Sequence, residues 1–167
     1  MSENYSELDT ENFLARDFME IALAEARFAV NNGDVPVGAI IVKGGKIISK
    51  AHNEVVLNNN PLAHAEMLAI DRAVQAVGDK NLSGCDLYVT LEPCAMCAGA
   101  IVLARIRRVY IGTDDTKTGA CGSIYNILQD RRLNHYCEIY NGISSERCAR
   151  LLSDFFSKLR ETKQTKN

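Results

Sequence analysis

The amino-acid sequence predicts an α/β protein, a three-layer α/β/α sandwich around one central sheet. Helix-type and strand-type apolar patterns alternate in the order α-β-β-α-β-α-β, which is typical of helices packed on both faces of a sheet. A length of 167 residues with 47% hydrophobic content suits one domain with a substantial core. We therefore expect a folded domain over residues 12–160, with flexible tails at residues 1–11 and 161–167.

The first third of the chain predicts one helix and one hairpin. Apolar residues recur at helical spacing through residues 12–30, and Gly33 supplies a stop after them. Residues 37–42 and 47–51 are β-rich, and the glycines between them predict a tight turn. The helix carries no evident chemistry, so we expect it to serve packing.

Three more helices are predicted. The second begins at Asn60 and Pro61, as a cap and a first-turn proline, and stops at Gly78. The third begins after Pro93, and its small and apolar residues predict that it is buried. The fourth is predicted to be capped by Ser144.

Three more strands and one long loop lie between these helices. Glycines and short polar residues from position 113 to 123 predict a loop that borders a pocket. The strands are predicted at residues 85–91, 107–112 and 136–140.

Charge is uneven along the chain, although the net charge is only −2. Residues 1–25 carry seven acidic residues and one basic residue, whereas residues 105–167 carry seven and twelve. An anionic partner would dock at the basic end, but charge alone favours a solvated helical face. The sequence contains neither a run of ~18 apolar residues nor a basic and then apolar start, so we expect a cytoplasmic protein without a membrane segment.

Six cysteines in a reducing compartment are expected to stay free thiols. Cys94 and Cys97 form a Cys-x-x-Cys pair that can bind a metal. Cys121 lies in the glycine-rich loop, where an exposed thiol is an open alternative. We expect the remaining three to be packing residues: Cys85, Cys137 and Cys148.

The strongest chemical signal is the segment at residues 90–97, taken together with His-Ala-Glu at residues 64–66. Cys94 and Cys97 lie one helical turn apart, so both can reach one ion, and His64 can supply a third ligand. Structural zinc sites are usually closed by four protein ligands, whereas catalytic sites keep a position for water. The cysteine pair alone leaves redox chemistry or buried apolar cysteine open; with Pro93 and His-x-Glu it favours a catalytic zinc site.

Glu66 is predicted to be the acid and base beside that ion. Residues at i and i+2 do not share a helix face, so Glu66 is badly placed to bind the same ion as His64. A carboxylate near the open position can instead take a proton from activated water and pass it to a substrate. This H-x-E…P-C-x-x-C arrangement is the signature of zinc nucleobase deaminases.

Across roughly residues 12–160 the sequence resembles the bacterial-type tRNA-specific adenosine deaminases of the cytidine deaminase superfamily. The zinc signature serves the whole superfamily, whereas Lys-Thr-Gly-Ala at residues 117–120 and Asp-Phe-Phe at residues 154–156 favour the tRNA branch. The matching segments are residues 34–39, 52–53, 63–66, 91–100, 115–120, 134–135 and 151–156.

The resemblance implies a cytidine deaminase-like fold with a mixed five-stranded sheet, in which residues 12–160 form a zinc deaminase domain. It implies hydrolytic conversion of adenosine to inosine at the wobble position of a tRNA anticodon, by a homodimer with one zinc ion in each subunit. His64, Cys94 and Cys97 would bind that zinc, and Glu66 would move the proton. Substrate contacts would come from Asn53 for the purine, and from Asp115, Lys117, Asn134, Phe155 and Phe156 for the anticodon loop.

Two other functions remain open at this point. A free-base or nucleoside deaminase would use the same zinc chemistry on a small molecule. A non-catalytic, zinc-stabilised RNA-binding module would use the metal structurally, but such a site has no need of Glu66. Individual residues also have alternatives: Asn53 as a turn residue, and Phe155 with Phe156 as two core contacts.

Overall fold

A mixed five-stranded sheet forms the middle layer of the protein in the computed structural model, which describes residues 7–165, with side chains from residue 14 onward. The strand order is β2-β1-β3-β4-β5; β1 is antiparallel to both neighbours, and β3, β4 and β5 are parallel. The predicted fold class is confirmed. The helices are α1 Glu7–Val30, α2 Ala65–Val77, α3 Ala95–Leu103 and α4 Ser145–Gln164, and the strands are β1 Gly38–Lys43, β2 Lys46–His52, β3 Cys85–Leu91, β4 Arg108–Thr113 and β5 Glu138–Asn141.

Alternation along the strands builds two cores, one on each face of the sheet. In β1, Ala39 and Ile41 join the core under α2 and α3, whereas Ile40 and Val42 join the core under α1 and α4. Successive side chains of a strand point to opposite faces, so a strand covered on both faces is apolar throughout. The three layers follow from this pattern.

Helix α2 begins at Ala65, five residues after the predicted start. Asn60 uses its side-chain oxygen to accept a hydrogen bond from the Leu62 N–H at 3.0 Å, so it closes a separate turn. The predicted start would put His64 in the first turn of α2, but His64 is the N-cap residue of that helix. The predicted stop is confirmed at Gly78, whose φ of 72° is the left-handed conformation that ends many helices.

The outer elements also differ from their predicted limits. Helix α1 starts at Glu7, inside the predicted tail, and α4 continues past residue 160 to Gln164. Residues 1–6 and 166–167 lie outside the described part of the chain. The last strand starts two residues later than predicted, at Glu138.

Ser144 occupies the N-cap position of α4, but its side chain makes no capping hydrogen bond. Its backbone is left-handed, with φ 53° and ψ 37°, whereas a capping serine has an extended backbone. The prediction of a side-chain cap is therefore wrong.

Helix α3 is buried on one side only. Cys97 and Ile101 are fully buried, yet Leu103 is 84% exposed and a side chain at Gly99 would point into open space. The expectation of a buried helix is therefore wrong for the single chain, because no described element covers the outer side. Cys121 is buried and all six cysteines are free thiols. Over the described residues, the helices are too short or too polar to cross a membrane.

Candidate active site

Two helix starts bring the three predicted zinc ligands together. His64 is the N-cap residue of α2, Cys94 is the N-cap residue of α3, and Cys97 lies in the first turn of α3. The N-terminus of a helix carries partial positive charge, which favours a thiolate over a thiol. Both helix starts therefore favour anionic sulfur at the same place.

The spacing of the ligand atoms fits zinc. His64 Nδ1 lies 3.7 Å from Cys94 Sγ and 3.5 Å from Cys97 Sγ. A tetrahedral zinc ion, with bonds of ~2.0–2.1 Å to nitrogen and ~2.3 Å to sulfur, holds such ligand atoms ~3.6 Å apart. Among the described residues, the group whose ligand atoms all lie within 4.8 Å of one another comprises these three residues. Three ligands leave one tetrahedral position free for water.

The pKa values of the two cysteine thiols are shifted in opposite directions. Hydrogen bonds with Cys97 and His64 lower the pKa of Cys94 to about 3. The pKa of Cys97 is raised by its hydrogen bond with Cys94 and by burial, and the pKa of His64 is raised chiefly by its hydrogen bond with Cys94. Loss of a proton is thus favoured at Cys94, and a divalent ion would displace the protons that remain on the ligand atoms.

Glu66 lies beside the ligands without joining them. It is in the first turn of α2, only 4% exposed, and it lines the same cavity as His64 and Cys94. Burial raises the pKa of its carboxyl group to about 7. A carboxyl group with that pKa can both accept and donate a proton near neutral pH.

The cavity combines apolar walls with one buried amide. Its walls include Val35, Val37 and Leu91. The backbone N–H of Asn53 donates to the Val37 carbonyl oxygen at 3.0 Å, which fixes Asn53 at the cavity wall. Among the described residues its side-chain amide has no partner, so this amide can bind a ligand. The lining consists of Val35, Val37, Asn53, His64, Ala65, Glu66, Leu91, Glu92, Cys94, Asp115 and Thr118.

The other predicted substrate residues lie in three places. Asp115 lines the cavity, and Lys117 follows on the same exposed loop. Asn134 instead lines a groove with Ser83 and Arg107, near the amino ends of β3 and β4. The structure therefore does not bring Asn134 to the cavity. The reason is that β5 runs parallel to β4, so the residues before β5 lie at the opposite end of the sheet.

Phe155 and Phe156 lie on α4. Phe155 lines a groove with Val30 and Leu159, and Phe156 is 39% exposed. Their rings meet edge to face, with centroids 5.3 Å apart. The Phe155 ring is thus half-buried, and the Phe156 ring is open to a partner.

Glu92 is the site residue that the sequence prediction missed. It is 3% exposed, and its carboxylate accepts hydrogen bonds from the backbone N–H groups of Asp115, Cys121 and Ser123 and from the Ser123 hydroxyl. Burial raises the pKa of Glu92, but these hydrogen bonds together lower it by more than burial raises it. The net shift is therefore downward. An acidic residue at the end of an apolar strand, directly before Pro93, was the available signal.

Comparison with known proteins agrees with this geometry. A family model described as MafB19-like deaminase matches residues 14–160. The tRNA-specific adenosine deaminase of Bacillus subtilis strain 168 is 47% identical over 88% of this chain and 91% of that protein, and that of Aquifex aeolicus strain VF5 is 52% identical over 86% and 94%. A solved structure from a study of A-to-I editing by tRNA:A34 deaminases matches with a TM-score of 0.79 at 43% identity, covering 81% of this chain and 99% of that chain. The chain therefore belongs to the MafB19-like deaminase family and to the tRNA-specific adenosine deaminases.

Proposed function

We propose that this protein hydrolyses adenosine to inosine at the wobble position of tRNA anticodons. The observation that carries the proposal is that a three-ligand metal group, a buried proton-transfer carboxyl group and a free amide open into one cavity. A tRNA substrate is supported by the relatives, which are tRNA-specific adenosine deaminases at 47% and 52% identity. Such a substrate implies a cytoplasmic enzyme.

One zinc ion per chain would be held by His64 Nδ1 and by the sulfur atoms of Cys94 and Cys97. When bound, zinc lowers the pKa of a coordinated water from ~15.7 to roughly 7, which makes a nucleophile available at neutral pH.

Glu66 moves the protons. Its carboxylate takes a proton from the attacking water and delivers it to the ring nitrogen beside C6, while the water oxygen bonds to C6. The same carboxyl group then carries the second proton to the amino group, which leaves as ammonia. Adenosine and water thus give inosine and ammonia, and Glu66 returns to its starting state.

The cavity walls hold the base. Val35, Val37 and Leu91 offer apolar contacts to the faces of a planar ring, and the Asn53 amide can bond to a purine edge. An anticodon base must leave the stack of its loop to enter such a cavity. Apolar walls also keep bulk water from the reacting carbon.

Contacts outside the cavity would hold the anticodon loop. Asp115 is at the rim, and Lys117 offers a charge to phosphate. The exposed ring of Phe156, packed on Phe155, can stack on a base. Asn134 would contact RNA only beyond the cavity of its own chain.

A homodimer is also part of the proposal. The outer side of α3 carries Met96, Gly99, Ala100 and Leu103 at helical spacing, and none of these is fully buried. A second copy of the chain would cover this apolar stripe. Light scattering should give twice the chain mass, and Leu103→Glu should lower it to the mass of one chain; a wild-type monomer would contradict the dimer.

The direct test of function offers four substrates side by side: an anticodon stem-loop with adenosine at the wobble position, free adenosine, guanine and cytosine. We expect ammonia release from the stem-loop alone, and loss of that activity in protein stripped of zinc by a chelator. Comparable turnover of a free base would indicate a nucleobase deaminase, whereas no ammonia from any substrate would favour a structural zinc module. Sequencing of tRNA from cells with and without the protein then tests for inosine at the wobble position.

A further inference from the structure

Both carboxylate oxygens of Glu92 are occupied by one loop, residues 113–123. Oε1 accepts from the N–H groups of Cys121 and Ser123, both at 3.0 Å. Oε2 accepts from the Asp115 N–H at 2.9 Å and from the Ser123 hydroxyl. Within the described residues no basic side chain pairs with this buried carboxylate, so the loop itself satisfies it.

Asp115, which is bonded to Glu92, in turn bonds to the next residues of the loop. Its own carboxylate accepts from the N–H groups of Lys117 at 2.9 Å and Thr118 at 3.1 Å, and from the Thr118 hydroxyl at 2.6 Å. Asp115 and Thr118 both line the cavity. The carboxylate of Glu92 therefore fixes the start of the turn on which Lys117 is carried.

The same loop packs against the metal-ligand segment. The Ala120 N–H donates to the Pro93 carbonyl oxygen at 2.8 Å, and Cys94 forms an isolated bridge with Gly119. A side chain at Gly119 would overlap the Glu92 carboxylate. Gly119 thus lies directly against the Glu92 carboxylate, where a residue with a Cβ atom does not fit.

We infer that Glu92 is a positioning residue, which joins the segment bearing Cys94 and Cys97 to the loop that holds the anticodon. This inference rests on the proposed tRNA deamination. Glu92 acts on substrate affinity through Asp115, without touching the reacting atoms. Because the contribution of the loop is made equally in the ground state and the transition state, its loss raises KM more than it lowers kcat.

Glu92→Gln tests the inference with almost no change of shape. If the amide nitrogen of the new side chain replaced Oε1, it would face two backbone N–H donors and could accept from neither. The nitrogen therefore takes the position of Oε2, and the Asp115 N–H loses its acceptor. Loss of a hydrogen bond to a charged group should raise KM for the anticodon stem-loop at least ~10-fold. We expect kcat within ~3-fold of wild type, one zinc per chain as in wild type, and faster amide hydrogen exchange at residues 113–119.

Asp86→Asn is the matched control, because Asp86 is also a carboxylate of low exposure. It lies at the amino end of β3, whereas Glu92 follows the carboxyl end, and it is paired with Arg107 at 2.9 and 3.1 Å. It should keep wild-type KM and wild-type exchange in the loop. A wild-type KM for Glu92→Gln, or a loss of zinc and kcat with unchanged KM, would overturn the inference. A merely structural role would lower thermal stability without selective exchange in the loop.

Ser123→Ala decides the matter if Glu92→Gln does not fold, because it removes one donor and leaves the carboxylate in place. We expect a KM increase of ~3-fold with unchanged zinc content; wild-type kinetics would overturn the inference. If wild-type protein does not act on the stem-loop, the proposed function fails instead, and loop exchange in the two variants still decides whether Glu92 holds the loop.

Discussion

Glu66 and Glu92 both line the cavity, and both are buried, at 4% and 3% exposure. Burial raises the pKa of the Glu66 carboxyl group to about 7. Burial also raises the pKa of Glu92, but hydrogen bonds from Ser123, Asp115 and Cys121 lower it below its usual value. Hydrogen-bond donors, more than burial, thus set the difference in direction between the two pKa shifts, and Glu66 is the one whose pKa suits the proposed proton transfer.

The largest expected effect separates the two carboxyl groups by activity. Glu66→Ala should lower kcat on the stem-loop by ~10²–10⁴-fold, because general acid and base catalysis contributes that much. Zinc content should stay at one per chain, since Glu66 is outside the ligand group. Full activity of the variant, measured by ammonia release with metal analysis in parallel, would refute the role of Glu66.

The next largest effect is on the pH dependence of stability. Ionisation of Glu66 should lower stability, whereas ionisation of Glu92 should raise it. The pKa of Glu66 is raised from 4.5 to about 7, so stability is lost as pH rises through that window. The pKa of Glu92 is lowered, so its contribution is present above the ordinary value of 4.5 and is lost as pH falls through its folded pKa.

We therefore expect the free energy of unfolding of metal-free Glu66→Gln to exceed that of metal-free wild type by on the order of 1–3 kcal/mol at pH 8. At pH 4 the two free energies should be equal. Glu92→Gln should lose on the order of 1–3 kcal/mol at pH 7, because donors buried with it lose their acceptor. Urea unfolding at pH 4, 7 and 8 measures these differences. Changes of the same sign in both variants would break the comparison.

The smallest effect concerns the free charge on the anchored loop. Lys117 makes no ion pair within the described residues, in contrast to the fully bonded Glu92. Lys117→Ala should weaken stem-loop binding and reduce the slope of log affinity against log salt by ~1, while zinc content stays constant. An unchanged salt titration would remove Lys117 from the RNA contacts.

Local patterns predicted the elements and the chemistry well. Gly44 and Gly45 both have positive φ, at 56° and 76°, so the hairpin turn was legible from two neighbouring residues. The sequence placed His64 at a helix start with Cys94 at another, and the structure puts the three ligand atoms at zinc spacing. Both signals depend on residues only a few positions apart, where propensity and periodicity apply.

The start of α2 was predicted too early, and two other features depend on contacts that are distant in sequence. The side chain of Asn60 closes a turn instead of capping a helix, because its oxygen accepts a hydrogen bond from the Leu62 N–H. The position of Asn134 depended on β5 pairing parallel to β4, and the burial of α3 depended on what covers its outer side. No local pattern reports either fact.

The sequence by itself predicted the three candidate metal ligands, the acidic residue beside them and the class of reaction, because those depend on residue type and short spacing. Only the tertiary structure decided how two buried glutamates divide their tasks. The donors that hold Glu92 lie 23 to 31 residues further along the chain, so its ionisation is a property of the folded loop and cannot be read from its neighbours in sequence.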